Sequence, residues 1–280
     1  MYIEMRDKVN LYVKVAGEGI PCLFIHGGPG EGSLDFETLG GNSLESFVKM
    51  IYFDQRGCAR SGGAANDDYS ISRMIEDIEE IRKNLGISKW IVLAHSFGGI
   101  IATNYAYKYQ NYVEKLILLN TTLFMEDSLE NQWKYGAKLL DEENSQYTEI
   151  NSVLEKWKYI VDKLIGKDLF YKLQYNHYES YLSVNQVSNQ IENFNTVMAN
   201  QAFSNTEYFT SYFDMTKDIF IPVLIITGNE DYAIGPNHYK NFMFPNKEVK
   251  VTQGKHKIYL ENNEEFTAVI RKFIEKIGTN

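Results

Sequence analysis

The residues best suited to chemistry surround Ser96, in the run Ala94-His95-Ser96-Phe97-Gly98-Gly99. A serine hydroxyl is a weak nucleophile unless a tight strand-to-helix turn presents it to a base and to N–H donors. Small residues two places before and after Ser96 permit that turn, although Ala94 carries one methyl more than the usual glycine. A serine capping a helix after a strand has the same local pattern, so distant residues must decide. An acyl-transfer site needs an acid and a histidine as well. Thr227-Gly228-Asn229-Glu230-Asp231 ends the apolar run Ile221-Pro222-Val223-Leu224-Ile225-Ile226, and Gly254-Lys255-His256-Lys257 follows the last strand-like segment. Asp231 is preferred to Glu230 because the shorter carboxylate at that offset matches the common arrangement, although an Asx turn would use it too. The order Ser96, Asp231, His256 is one of the recurring orders of a catalytic triad.

Acyl transfer also requires donors for a developing oxyanion. The loop His26-Gly27-Gly28-Pro29-Gly30 follows the apolar run Cys22-Leu23-Phe24-Ile25. Its glycines allow close backbone approach, and Pro29 stiffens the path beyond. The expected donors are the N–H groups of Gly28 and Phe97. A phosphate cradle is a poor alternative, since there is no Gly-x-Gly-x-x-Gly run and no Gly-Lys-Ser/Thr sequence. His26, His95, His177 and His238 are expected to be structural or solvent-facing. Cys58 lacks a neighbouring base that would make a reactive thiolate.

These groups need a scaffold. Through about residue 120, short apolar runs alternate with segments of helical period, the pattern of a mostly parallel sheet flanked by helices. Strands are predicted over Tyr2 to Arg6, Leu11 to Ala16, Cys22 to Ile25, Lys49 to Phe53, Trp90 to Ala94 and Leu116 to Leu119. An amphipathic helix is predicted from Ile71 to Leu85, capped by Ser70 and stopped by Gly86. A second helix is predicted from near Ser96 through Tyr105. From about Thr121 to Met215 the alternation gives way to aromatic and polar residues at helix-like spacing, read as a helical insertion. Strands return at Ile221 to Ile226 and Val249 to Thr252. A terminal helix then carries Phe266, Val269, Ile270, Phe273 and Ile277.

Among 280 residues, 44% hydrophobic and 23% charged, 28 Lys and Arg face 37 Asp and Glu, for a net charge of -9. That balance argues against nucleic acid and anionic membrane surfaces as partners. The N-terminus lacks the basic start and apolar stretch of a secretory signal, and no run approaches a membrane span, so a cytoplasmic location is expected. Two cysteines, Cys22 and Cys58, outside any Cys/His cluster, argue against a disulfide framework and a zinc site. No metal or organic cofactor is expected.

Taken together, the Gly28 loop, the run Phe53-Asp54-Gln55-Arg56-Gly57-Cys58-Ala59-Arg60-Ser61, the Ser96 turn and the late acid and histidine resemble the proline iminopeptidase family of the α/β hydrolases. His256 followed by Glu261 and Phe266 is similar to that fold's ending. The similarity covers roughly residues 10 to 120 and 220 to 275. It implies an α/β-hydrolase fold, with a core formed by residues 1–120 and 216–280 and a helical cap over 121–215. It also implies removal of an N-terminal residue from small peptides, with acidic cap side chains recognising the free ammonium. Glu179, Glu192 and Glu207 are the candidates. Tyr232 stands where some relatives carry another carboxylate. Asp54 and Arg56 are expected to brace the loops by hydrogen bonding and ion pairing. A carboxylesterase or lactonase acting on small esters would use the same machinery, and a small-molecule receptor would keep the pocket without turnover.

Overall fold

The computed structural model describes residues 1–143 and 150–276. Ile277, expected in the terminal helix, and residues 144–149 of the expected insertion lie outside them. Among the described residues there are eight strands, β1 (Tyr2–Glu4), β2 (Asn10–Ala16), β3 (Ile20–Ile25), β4 (Val48–Phe53), β5 (Trp90–His95), β6 (Val113–Leu119), β7 (Val223–Gly228) and β8 (Lys247–Thr252). They form one sheet in the order β1-β2-β4-β3-β5-β6-β7-β8. Strand β2 pairs antiparallel with both β1 and β4, and all the other pairings are parallel.

Period-two alternation divides the central strands between two cores. Leu23, Ile25, Val92, Ala94, Leu116, Leu118, Val223 and Ile225 face one layer, with Ile78 and Ile81 of α2 (Ile71–Asn84) and Ile101 and Tyr105 of α3 (Gly98–Lys108). Cys22, Phe24, Ile91, Leu93, Ile117, Leu119, Leu224 and Ile226 face the other. There they meet Phe36 of α1 (Leu34–Leu39) and Phe266, Ile270 and Phe273 of the terminal helix (Asn263–Glu275). Both faces of the central strands β3, β5, β6 and β7 are covered, which explains their unbroken apolar runs.

Local signals set several boundaries. Ser70 accepts the Arg73 N–H at 3.1 Å and so begins α2 as expected. The next helix starts at Gly98, later than the predicted Ser96, because Ser96 itself is left-handed at φ 57. Strand β7 starts only after Pro222, which has no N–H to give to a ladder.

Between β6 and β7, which pair directly, the chain forms α4 (Met125–Leu139), α5 (Val153–Gly166), α6 (Tyr178–Ser188) and α7 (Val197–Gln201). This insertion is tied down at several points. Ala59 and Asn195 exchange backbone hydrogen bonds of 3.0 and 2.8 Å, and the Glu261 carboxylate accepts from the Asn176 and His177 N–H groups. After β8 come α8 (Ile258–Glu261) and the terminal helix, α9. Among the described residues, no helix is long and apolar enough to cross a membrane.

The loop after β4 is braced by two carboxylate clusters. Asp54 accepts from Ser33 N–H and Oγ at 2.8 Å each and from Arg60 Nε at 2.7 Å. Burial alone would raise its pKa, but Arg60, His26 and the Ser33 N–H together hold it below the usual value. Arg56, fully buried, meets Asp77 through Nε at 2.6 Å and Nη2 at 2.8 Å, and reaches Asp7 at 2.9 Å. Asp77→Ala would strand that guanidinium without its bidentate partner. A loss of about 3–5 kcal/mol in unfolding free energy is expected, measured from urea transitions. A loss below about 1 kcal/mol would show that Asp7 alone suffices.

Candidate active site

Because strands β3 to β8 run parallel, their C-terminal ends lie along one edge of the sheet, where such folds place their ligands. Ser96 follows β5 there, Asn120 follows β6, and Asp231 and His256 lie beyond β7 and β8. The turn at Ser96 is tight. Its N–H reaches Leu119 O at 3.3 Å, and its carbonyl accepts from Gly99 N–H at 3.0 Å and Thr122 N–H at 3.2 Å. A Cβ on Gly98 would come within 2.4 Å of the Ile25 carbonyl oxygen, so only glycine lets the helix start this close to β3. Ser96 is only 9% exposed.

Asp231 is fully buried and divides its carboxylate between two tasks. Oδ1 accepts the N–H groups of Ala233 and Ile234 at 3.0 and 3.1 Å, while Oδ2 lies 3.0 Å from His256 Nδ1. The Asx turn and the histidine contact therefore coexist on different oxygens. Since a carboxylate can only accept, Nδ1 carries the proton and Nε2 is left with its lone pair. Glu230, the rejected alternative, makes no contact with His256 among the described residues.

The His256 main chain is held from three directions. Its carbonyl accepts from Asn120 Nδ2 at 2.7 Å and from His95 Nε2 at 3.1 Å, and its N–H donates to Gln174 O at 3.0 Å. Asn120 also donates to Lys255 O at 2.9 Å and accepts the Gly228 N–H at 2.8 Å, joining the two loops that carry Asp231 and His256. The sequence did not single out Asn120 for this positioning role. Its left-handed φ of 45 at a strand end is the local sign of it.

The remaining histidines are engaged elsewhere or exposed. His26 accepts the Gln55 N–H at Nε2, 2.9 Å, and Nδ1 faces Gly27 O at 2.9 Å; burial keeps its pKa below normal. Burial also drives His95 well below the ordinary value, with the His256 and Lys257 charges acting in the same direction. His238 accepts the Leu123 N–H at Nε2, 3.0 Å, and faces Asp127 at 2.6 Å through Nδ1. His177 is exposed. Burial raises the Cys58 thiol well above its usual range, so it is not a thiolate.

Gly28 is left-handed at φ 119, and a Cβ there would come within 2.5 Å of the Gly30 nitrogen. The Gly28–Pro29 peptide is cis. Among the described residues, the N–H groups of Gly28 and Phe97 donate to no acceptor. Both residues line a cavity of about 80 Å³ together with Ser96 and His256. Its opposite wall is the insertion, through Met125, Leu129, Gln132 and Gln174. Helix α4 is fastened to the Asp231 loop, since Asn131 and Gln132 donate to the carbonyls of Tyr232 and Ala233 at 2.6 and 2.7 Å. The Tyr232 ring stacks on Tyr135 of α4 at 3.5 Å.

The three cap carboxylates named as candidates for ammonium recognition lie away from this cavity. None of Glu179, Glu192 and Glu207 is among the described residues lining this cavity. Glu179 and Glu192 are exposed, and Glu207 accepts the Ile71 N–H at 2.7 Å, serving the N-terminus of α2 instead. The carboxylate that does line the cavity is Glu31, directly after the Gly28 loop. Among the described residues, no group of three or more His, Cys, Asp or Glu side chains is placed to hold a metal.

Comparison with known proteins agrees with this architecture. The family profile described as alpha/beta hydrolase fold matches residues 20–263. A proline iminopeptidase of Pestalotiopsis fici is 28% identical over 299 residues, covering 98% of this chain and 99% of that protein. A proline iminopeptidase of Neisseria gonorrhoeae is 34% identical over 120 residues, which span 42% of this chain and 38% of its own length. Among solved structures, the proline iminopeptidase-related protein of Thermus thermophilus superposes with a TM-score of 0.80 at 20% identity, covering 98% of this chain and 96% of its own. An esterase of Exiguobacterium antarcticum gives 0.72 at 20% identity, covering 98% of each chain. The chain belongs to the α/β-hydrolase family, and it resembles the proline iminopeptidases within it.

Proposed function

We propose that this protein is a serine hydrolase that cleaves an amide or ester bond through an acyl-enzyme, with Ser96 as nucleophile. His256 Nε2 takes the hydroxyl proton as Ser96 attacks the carbonyl, and the Gly28 and Phe97 N–H groups receive the oxyanion. His256 then returns the proton to the leaving amine or alcohol. Water, activated by the same nitrogen, releases the acid. Asp231 keeps the imidazole in the required tautomer. The observation that carries this reading is the 3.0 Å contact of His256 Nδ1 with Asp231 in a cavity that also holds Ser96. Residues 121–215 act as a cap closing that cavity over a core of residues 1–120 and 216–280.

The preferred substrates are short peptides that lose their N-terminal residue, a reading supported by relatives named proline iminopeptidase. The apolar wall of Met125, Leu129 and Ile234 favours a second reading, a carboxylesterase or lactonase acting on small esters. Hydrolysis of proline and alanine arylamides, set against short-chain nitrophenyl esters, separates the two. Arylamide turnover that disappears when the amine is acylated is the result expected of an aminopeptidase, and unchanged rates would overturn it. Rapid labelling of Ser96 by a fluorophosphonate is expected in either case; failure to label would leave a non-catalytic receptor.

A further inference from the structure

A second cavity, of about 240 Å³, adjoins the first and shares Glu31 and Gln174 with it. It lies between α1 of the core and the 170–194 stretch of the insertion, and aromatic rings dominate its wall. Tyr171 and Tyr175 both pack on Tyr181, with ring centroids 6.0 and 5.8 Å from it. Phe170 and Phe194 complete the panel.

The charges in and behind this wall are unequal. Glu31 and Asp35 both line the cavity, and no Lys, Arg or His is among the described lining residues. Behind them, Lys257 is buried with Nζ 3.3 Å from Asp35 and 3.7 Å from Glu31. Burial works against its charge, but Glu31 and Asp35 hold it protonated, well above the ordinary lysine pKa. Tyr259 donates its hydroxyl to Asp35. Asp35 is thus matched by Lys257, while Glu31, 47% exposed, keeps a carboxylate facing the open space. Two carboxylates against one ammonium leave the cluster with a net negative charge beside a panel of aromatic rings.

Carboxylate and aromatic faces together select a cation, which the ring quadrupoles and the charge attract alike. We propose that this chamber is a cation-binding subsite of the Ser96 centre, and that the substrate carries a protonated or quaternary amine several bonds from the scissile carbonyl. The inference rests on the reading of Ser96 as nucleophile. An α-ammonium lies two bonds from the scissile carbon and is confined to the smaller cavity. The chamber reads a second, more distant charge, and its rings exclude an anionic group at that position.

Calorimetric titration of the full chain with choline and with its neutral isostere 3,3-dimethylbutan-1-ol tests this without requiring turnover. Choline is expected to bind at least about fivefold more tightly than the alcohol. Glu31→Gln and Tyr181→Leu are each expected to weaken choline binding roughly three- to tenfold while leaving the alcohol nearly unaffected by the first. Equal affinity for the two ligands, no saturable choline binding, or choline binding indifferent to both substitutions would overturn the proposal. Ser96→Ala is expected to bind choline as the unmodified chain does. Fluorophosphonate labelling reports on Ser96 separately, so the two readings fail by different measurements.

Discussion

Ser96→Ala is expected to abolish hydrolysis of every substrate the protein accepts, with kcat falling by up to about six orders of magnitude. In the proposed mechanism the Ser96 hydroxyl oxygen forms the bond to the acyl carbon, so no neighbour replaces it. The fold should survive. Alanine has the same left-handed penalty as serine at φ 57, and the contacts that hold the turn come from the main chain at Leu119, Gly99 and Thr122. Unchanged circular dichroism and a urea midpoint near that of the unmodified protein, combined with complete loss of activity and of fluorophosphonate labelling, are the expected observations. Retained turnover in that variant would remove Ser96 from the mechanism.

Asp231→Asn is expected to cost about four orders of magnitude in kcat, for a reason specific to this site. Ala233 and Ile234 both donate to Oδ1, so an asparagine there must turn its carbonyl oxygen toward them. Its amide NH2 then faces His256 Nδ1, which can meet it only as an acceptor. The ring proton moves to Nε2, and the nitrogen needed to take the Ser96 proton is already occupied. The turn itself remains satisfied, so stability should change little. Activity within about tenfold of the original would show that Asp231 serves the turn alone.

The two substitutions separate local from distant causes. The sequence offered Asp231 either an Asx turn or a histidine partner, and its carboxylate makes both contacts at once. A second histidine–carboxylate pair, His238 with Asp127, has a shorter contact, 2.6 Å against 3.0 Å. It differs because its other nitrogen is already taken by the Leu123 N–H. The place of His256 after the last strand-like segment singled it out in the sequence, but a carboxylate contact by itself does not tell the two rings apart. The decision lies in which backbone donor reaches each ring.

The strand and helix sequence of the core was legible because its causes are local. Period-two alternation assigns Leu23 and Phe24, or Val92 and Leu93, to opposite faces whatever the rest of the chain does. Small residues around Ser96 and the Gly28 loop likewise state a backbone requirement within a few positions. The choice among charged insertion residues was not legible. Glu207 accepts the N–H of Ile71, 136 positions away, and Glu31, which the sequence did not single out, lines two cavities. Asn120 reads as an ordinary polar strand end, yet it joins Gly228 and His256 because parallel strands bring their ends to one edge. The sequence by itself determined the layered sheet and the order in which Ser96, Asp231 and His256 follow its strands, since periodicity and backbone freedom are properties of neighbouring residues. Only the tertiary structure decided which polar groups meet, because a side chain's partner depends on segments that approach from far along the chain.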